Sequence, residues 1–380
     1  MKKSEMEVSV VIPCLNEEQT VGIVVGKALK AFRGNKIKGE VVVVDNGSTD
    51  NSAARAKKAG ARVIFQGKKG YGNALQKGFQ EARGKYIVMG DADDTYDFLD
   101  LQKFVKYLRA GYDYVMGTRL KGTIVKGAMP WLHRYIGNPF LTTYLNVIHG
   151  TKISDSHSGM RAFTKKAYEK MRPLSPGMEF ASELIIRAAE EKLKIKEVPI
   201  TYYPRKGESK LHSFRDGWRH LRFMLLYSPF YVFFVPGILL LAFGMALLLL
   251  LAKGPATIFG LTLDIHPMFL GSLCVLLGFQ IILLGLYSRA LRVPESLEGA
   301  DSFTKYLFRH VTLERGLLAG FLLLVIGIAI NVLILIAWIN NGYKNLAGIR
   351  YALLGMTFVV IGAQTMFSSF FMSVLRLVPK

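Results

Sequence analysis

The chain has 380 residues, 51% of them hydrophobic, and a mean hydropathy of +0.27, enough for one sizeable soluble domain and something more apolar beside it. Two cysteines, Cys14 and Cys274, exclude a disulfide framework and a CxxC redox or zinc site. The net charge of +21 comes without an RNP motif, a zinc finger or a basic helix interleaved with aromatics, so basic loops facing anionic lipid are expected rather than nucleic acid.

Met1-Lys2-Lys3 is basic, but Val8-Ser9-Val10-Val11-Ile12 is too short for a signal-peptide core and polar Asn16-Glu17-Glu18 follows. A cytosolic N-terminus is therefore expected. Short β-branched runs then alternate with helix-like segments. Strands are predicted at 8–12, 40–44, 62–65 and 85–89, with helices at 17–32, 50–59 and 73–82. Alternation of this kind implies βαβ units and a mostly parallel sheet, and the unbroken apolar strands suit a sheet covered on both faces.

Ligands in such folds bind beyond the carboxyl ends of the strands. Three strands run into polar turn-forming clusters there: Pro13-Cys14-Leu15-Asn16-Glu17-Glu18, Asp45-Asn46-Gly47-Ser48-Thr49-Asp50 and Gly90-Asp91-Ala92-Asp93-Asp94. Each cluster alone is compatible with helix capping; three at one edge point to a ligand. Asp91 and Asp93, two apart at the end of an apolar strand, project to the same side and repel unless a cation lies between them. Mg2+ or Mn2+ bridging phosphates needs only one or two carboxylates, the rest being water and phosphate oxygen. Gly67-Lys68-Lys69-Gly70-Tyr71-Gly72-Asn73 opens the third helix, and backbone amides at a helix start suit a phosphate; the GxxxxGK[ST] order of a P-loop is missing.

Beyond Arg222 four apolar stretches, near 230–252, 266–287, 317–338 and 351–375, are each long enough to span a bilayer. Arg289, Arg292, Lys305, Arg309 and Arg315 follow the second, and Arg376 and Lys380 follow the fourth, whereas the first and third are followed by few cations. The positive-inside rule then puts both termini in the cytosol. Leu211, Phe214, Trp218, Leu221 and Leu225 recur at helical spacing, with Arg215, Arg219 and Arg222 on another side, the pattern of an interfacial helix. A weaker second candidate runs from Phe303 to Arg309. The organisation expected is a cytosolic α/β domain over 1–210, an interfacial helix over 211–229 and four membrane helices over 230–380.

The clusters at Pro13 to Glu17, Asp45 to Asp50, Asn73-Ala74-Leu75 and Asp91-Ala92-Asp93 stand in the order and spacing of the inverting family 2 glycosyltransferases with a GT-A fold, and the chain resembles that family over roughly residues 7–228. Gly117-Thr118-Arg119, Asp155-Ser156-His157-Ser158-Gly159-Met160-Arg161 and Arg205-Lys206-Gly207-Glu208-Ser209-Lys210-Leu211 look like its polyprenyl-phosphate branch, which includes dolichyl-phosphate glucose and mannose synthases. The resemblance implies transfer of one sugar from a nucleotide sugar, UDP-glucose before GDP-mannose, to a polyprenyl or dolichyl phosphate at the plasma membrane. It implies nucleotide-sugar contacts from Pro13, Asn16, Glu17, Asp45, Gly47, Ser48, Lys69, Gly70, Asp91, Ala92 and Asp93, and metal held by Asp91 and Asp93. It also implies catalytic roles for Asp93, Asp155 and Arg119, and acceptor-phosphate contacts from Arg119, Arg161, Arg205, Ser209 and Lys210. Where several relatives carry a metal-binding Gln, this sequence has Thr95.

An anionic acceptor phosphate can attack without a protein base, and no Ser-His-Asp or Cys-His arrangement is visible. A processive polysaccharide synthase shares the front motifs but would carry a QxxRW segment, which is missing; Gly217-Trp218-Arg219 is not one. A membrane scaffold with an inactive transferase domain is a further alternative, against which the intact Asp91 and Asp93 stand. The partners implied are the nucleotide sugar, the polyprenyl phosphate, the bilayer and, as an open alternative, a second copy of the chain.

Overall fold

The computed structural model describes residues 6–206, 217–218, 221–225, 230–291, 309–310, 312–342 and 348–377. The chain divides into two compact units, Met1–Met224 and Leu225–Lys380. The first is built in the order β1 (Val8–Cys14), α1 (Val21–Gly34), β2 (Gly39–Asp45), α2 (Ser52–Lys58), β3 (Arg62–Phe65), α3 (Tyr71–Glu81) and β4 (Tyr86–Met89). It continues through α4 (Leu101–Arg109), β5 (Tyr114–Ile124), α5 (Asn138–His149), β6 (Arg161–Thr164), α6 (Lys165–Met171), α7 (Phe180–Glu190) and β7 (Ile195–Tyr202).

The seven strands form one sheet in the order β3-β2-β1-β4-β6-β5-β7. β1, β2, β3 and β4 run parallel, as their spacing predicts, and β7 runs parallel to β5. β6 is the exception, antiparallel to both β4 and β5. The connection from β5 runs through α5 and comes back to the edge where β5 ends, so β6 enters from the carboxyl edge of its neighbours. That reversal delivers the whole 155–160 segment to the edge where the parallel strands end.

Both sheet faces are buried, which is why the strands read as unbroken Val/Ile runs. Val8, Val10, Ile12 and Cys14 pack on one face with Val21, Val24 and Val25 of α1 and Phe104 and Val105 of α4. Against the other, α3 comes close through Gly78, where a Cβ would lie 2.3 Å from Val11 Cγ1. Phe79 of the same helix meets Phe163 edge-on at 5.1 Å. The first helix begins at Val21 rather than near Glu17, because the amides of Glu17 and Glu18 donate to Ser52 and Asp50 across the edge instead of entering a helix.

The second unit holds α8 (Val235–Leu251), a hairpin of β8 (Ala256–Ile258) and β9 (Leu261–Leu263), α9 (Ile265–Ala290), α10 (Leu313–Asn340) and α11 (Ile349–Leu377). Among the described residues four helices are long and apolar enough to cross a membrane, at Tyr231–Leu251, Ile265–Ala290, Leu313–Asn340 and Ile349–Leu375. They pair through glycines seven residues apart. Gly237 and Gly244 of α8 face Gly278 and Gly271 of α9, and Gly320 and Gly327 of α10 face Gly362 and Gly355 of α11. A Cβ at Gly244 would lie 2.4 Å from the Gly271 carbonyl oxygen, so the backbones touch directly. A Ser272–Thr357 hydroxyl contact of 2.7 Å ties α9 to α11. Of the predicted interfacial helix, residues 217–218 and 221–225 are helical; the rest of it, and 303–308 of the second candidate, lie outside the described residues.

Candidate active site

β1 and β2 end level, Cys14 opposite Asp45, and the turns beyond them lock together. The Asn16 amide donates to Ser48 Oγ at 3.0 Å, and the Thr49 amide donates to Asn16 Oδ1 at 2.7 Å. Asp45, buried, accepts from the Ser48 amide at 3.1 Å. Asn16 at φ 50° and Gly47 at φ 90° make the tight reversals this needs. The structure thus brings Pro13, Asn16, Glu17, Asp45, Gly47 and Ser48 to one corner. Phe65, paired with Asp45 on the next strand and 66% exposed, adds a bare aromatic face that its place in an apolar run did not reveal. Cys14 is a core residue: burial pushes its thiol up to about 12, leaving it inert.

Asn46 holds the glycine loop to this corner. Its amide nitrogen donates to the carbonyls of Gln66 and Lys68 at 2.9 and 2.8 Å, and its oxygen accepts from the Gly70 amide at 2.8 Å. Gly70 has φ 136°, and a Cβ there or at Gly72 would lie 2.3 Å from the Pro176 oxygen or 2.1 Å from the Ser175 oxygen. Buried Glu183 fixes that second loop by accepting from the amides of Leu174 and Ser175. The Lys69 side chain is exposed. Glu183 stands beside the apolar run Leu184-Ile185-Ile186, and a carboxylate in that place was the one sequence signal of its role.

Asp91 and Asp93 leave β4 with Ala92 between them turned into the core, so Ala92 offers the site only its backbone. Tyr71, next to Gly70, donates to Asp91 Oδ1 at 3.0 Å. Burial, and after it the charge of Asp93, pushes the Asp91 carboxyl well above the usual carboxylate range. Thr95 holds Asp93 Oδ1 through its hydroxyl at 2.6 Å and its amide at 3.2 Å. Arg205 reaches Asp93 Oδ2 at 3.2 Å and also pairs with Glu17, joining the metal-type pair to the first corner. Asp94, at φ 60°, is gripped by Lys27 and Lys206, each at 2.7 Å. Among the described residues no set of three or more His, Cys, Asp or Glu gathers as a metal cluster. Two adjacent carboxylates, one destabilised by the other's charge, fit a Mg2+ or Mn2+ ion that draws its remaining ligands from phosphate and water.

The motifs after β4 hold some surprises. Arg119 donates Nε and Nη2 to the two oxygens of Asp155 at 2.7 and 2.8 Å, and its own amide donates at 3.0 Å. Asp155 is fully buried and Arg119 is 7% exposed. Burial alone would raise the Asp155 carboxyl, but Arg119 wins and holds it below the usual range. The pair is therefore a sealed brace between β5 and the 155–160 segment, and the direct substrate contact expected of Asp155 is not what its carboxylate makes. Arg161 also departs from expectation. Fully buried, it spends four of its five N–H groups on the carbonyls of Ser158, Ser156 and Ala181 and on Tyr114 Oη, inside the domain rather than at a surface that a lipid phosphate could reach. Ser209 and Lys210 lie outside the described residues.

Residues 9–172 match the model of glycosyl transferase family 2, and residues 286–376 match the family's C-terminal transmembrane region. A low-salt glycan biosynthesis hexosyltransferase, Agl6, of Haloferax volcanii is 44% identical over 95% of this chain and 87% of its own length. The chain belongs to glycosyltransferase family 2. This glycosyltransferase is also 37% identical, over 56% of its length and 89% of the other's, to a dolichyl-phosphate hexose transferase of the same organism, as expected of the polyprenyl-phosphate branch. Glucosyl-3-phosphoglycerate synthase from Mycobacterium tuberculosis, solved with Mn2+, uridine-diphosphate-glucose and phosphoglyceric acid, superimposes with a TM-score of 0.48 at 21% identity over 58% of this chain and 79% of that one. The transferase domain and the four apolar helices together make this a membrane-bound glycosyltransferase.

Proposed function

We propose that this glycosyltransferase moves a single hexose, glucose from UDP-glucose in preference to mannose from GDP-mannose, onto a polyprenyl or dolichyl phosphate at the cytosolic face of the plasma membrane. The observation that carries the reading is the Asp91–Asp93 pair, set at the same sheet edge as the Asn46-pinned glycine loop and the Asp45 corner. Relatives named hexosyltransferase and dolichyl-phosphate hexose transferase support the acceptor class. Asp45 and Ser48 would take the nucleoside, with the exposed ring of Phe65 beside them for the base, while the amides of Tyr71 and Gly72 at the start of α3 would meet the diphosphate.

Asp91 and Asp93 would hold Mg2+ or Mn2+, which supplies charge stabilisation to the departing diphosphate. Thr95 and Tyr71 fix the directions of the two carboxylates before the donor arrives. An acceptor phosphate is already an anion, so it needs no general base. One of its oxygens bonds to the anomeric carbon as the carbon–diphosphate bond breaks on the opposite side, inverting the centre. Arg205, released from Glu17 and Asp93, would meet phosphate; Ser209 and Lys210 continue that segment. Arg119 contributes fixed positive charge near the acidic pair, held in place by Asp155.

The test is to reconstitute the full chain in lipid, supply several nucleotide sugars with a polyprenyl phosphate, and weigh the lipid product. One added hexose, lost with chelator and in Asp93→Ala while that variant stays folded and membrane-inserted, is the expected result. Metal-dependent transfer surviving in Asp93→Ala, or a polymeric product, would overturn the assignment.

A further inference from the structure

Between α8 and α9 the chain runs from Pro255 to Leu263 without a charged residue. This stretch folds as the β8–β9 hairpin, which pairs Ala256 with Leu263, Thr257 with Thr262 and Ile258 with Leu261. Side chains alternate along each strand, so the four apolar residues of these pairs share one face and the two threonines hold the other. At the base, Ala256 and Leu263 pack on the cluster of Leu248, Leu251, Met268 and Leu353, drawn from α8, α9 and α11. An Asp264–Arg350 ion pair ties the same end to the start of α11. Further out, Ile258 is 38% and Leu261 69% exposed, and Phe259 at the tip is wholly bare among the described residues.

The turn itself is unusual. Phe259 and Gly260 take φ of 50° and 78°, the left-handed pair at which a two-residue hairpin turn ordinarily carries Asn-Gly. A large aromatic is held there against its backbone preference and packed on nothing in the hairpin, which suits a contact outside the chain. Placement identifies that contact. α8 ends at Leu251 and α9 begins at Ile265, so the hairpin lies across the ends of two spans, at the level where hydrocarbon gives way to headgroups. The face resting on those helix ends looks toward the membrane. Ile258 and Leu261 continue that face beyond the helices it rests on, and what surrounds a bundle at this level is lipid.

We propose that the β8–β9 hairpin overhangs the bundle and rests on the bilayer, with Ile258, Phe259 and Leu261 in the upper acyl layer of the leaflet that α8 reaches at its carboxyl end. Thr257 and Thr262 then face headgroups and water. The packed base and the Asp264–Arg350 pair hold the hairpin at a fixed angle, so it acts as a stop that sets the depth and tilt of the α8–α9 pair. This contact is separate from the expected interfacial helix at 211–229 and independent of which sugar is transferred.

The test places nitroxide labels on the full chain at Phe259→Cys, Leu261→Cys or Thr262→Cys, in vesicles of phosphatidylcholine with phosphatidylglycerol. Native Cys14 and Cys274 are both buried, so the unsubstituted chain serves as the blank. Collisions with oxygen, which concentrates in hydrocarbon, are compared with collisions with an aqueous nickel chelate. The expected result is oxygen dominating at 259 and 261, with nickel access there several-fold below that at 262, one residue along but on the other face. The label at 261 leaves the turn intact and so keeps the test valid if Phe259→Cys relaxes it. Equal nickel access at 259, 261 and 262 would overturn the proposal, since the hairpin would then stand in water. So would exclusion of both reagents at 259 and 261, which would mean that protein, such as a second copy, covers the face.

Discussion

Removing the carboxylate of Asp155 separates a brace from a catalyst. Asp155→Asn leaves Arg119 buried and charged with its three contacts of 2.7 to 3.0 Å weakened. Breaking one side of a buried ion pair costs ~3–5 kcal/mol, because the remaining charge stays desolvated. For a domain of about this size each kcal/mol shifts the midpoint by ~2–4 °C, so the soluble unit should melt roughly 6–20 °C earlier. The double variant Arg119→Met with Asp155→Leu, which removes both charges, should recover much of that loss. The assay is thermal unfolding of the full chain in detergent, with hydrogen exchange at residues 155–161 assigning the transition to this unit, since two units need not melt together. The pH arm has a definite sign. A carboxyl held below its unfolded value stabilises fully above that value, near ~3.9, and loses its contribution as pH falls through the folded one. Wild type and Asp155→Asn should therefore converge only in strong acid. Unchanged melting alongside a large drop in transfer would refute the brace and return Asp155 to the substrate.

Gly72→Ala puts a Cβ 2.1 Å from the Ser175 oxygen and 3.1 Å from Phe180 Cβ, so backbone must move at a cost of ~1–3 kcal/mol. The KM for the nucleotide sugar should rise about tenfold for each ~1.4 kcal/mol lost from the loop's bound form, and an unchanged KM would remove this loop from the donor site. Asn46→Ala deletes three hydrogen bonds of 2.8 to 2.9 Å and should expose Lys68 and Lys69 to trypsin; equal cleavage rates would show that the loop holds without it. Gly244→Leu drives a side chain into the Gly271 carbonyl and should lower the detergent stability of the second unit, seen as earlier aggregation on size exclusion, while leaving the Asp155-dependent transition in place.

The front of the fold was legible because both signals it needs are local. Unbroken Val/Ile runs give the strands, and Asp, Asn and Gly at their ends give the turns; helix starts moved by only a few residues, where Glu17 and Glu18 bond across the edge. That Asp91, Asp93 and the turn after Asp45 share one sheet edge followed from strand direction and the polar clusters at the strand ends. Position in three dimensions decided the rest. Arg119 and Arg161 look like phosphate ligands in sequence and Asp155 like a substrate contact, since a side chain's charge is visible there and its burial is not. The antiparallel entry of β6 gave them carbonyls and one another as partners instead. The apolar face of the β8–β9 hairpin escaped for the converse reason: its alternation is short and lies between two membrane spans, and only pairing and packing reveal which part of that face is left bare.

Arg205 already sits where incoming charge is expected, paired with Glu17 on one side and Asp93 on the other. One guanidinium thus partly offsets two carboxylates at the most acidic point of the site. A bare divalent ion would have to evict a guanidinium to enter, whereas an ion arriving on a diphosphate brings the anion that Arg205 can move to. Donor binding then becomes an exchange of partners with little net change in charge. In kinetic terms, loading the nucleotide sugar would come first and would itself free the cation that meets the second substrate, making the order of addition a property of one side chain.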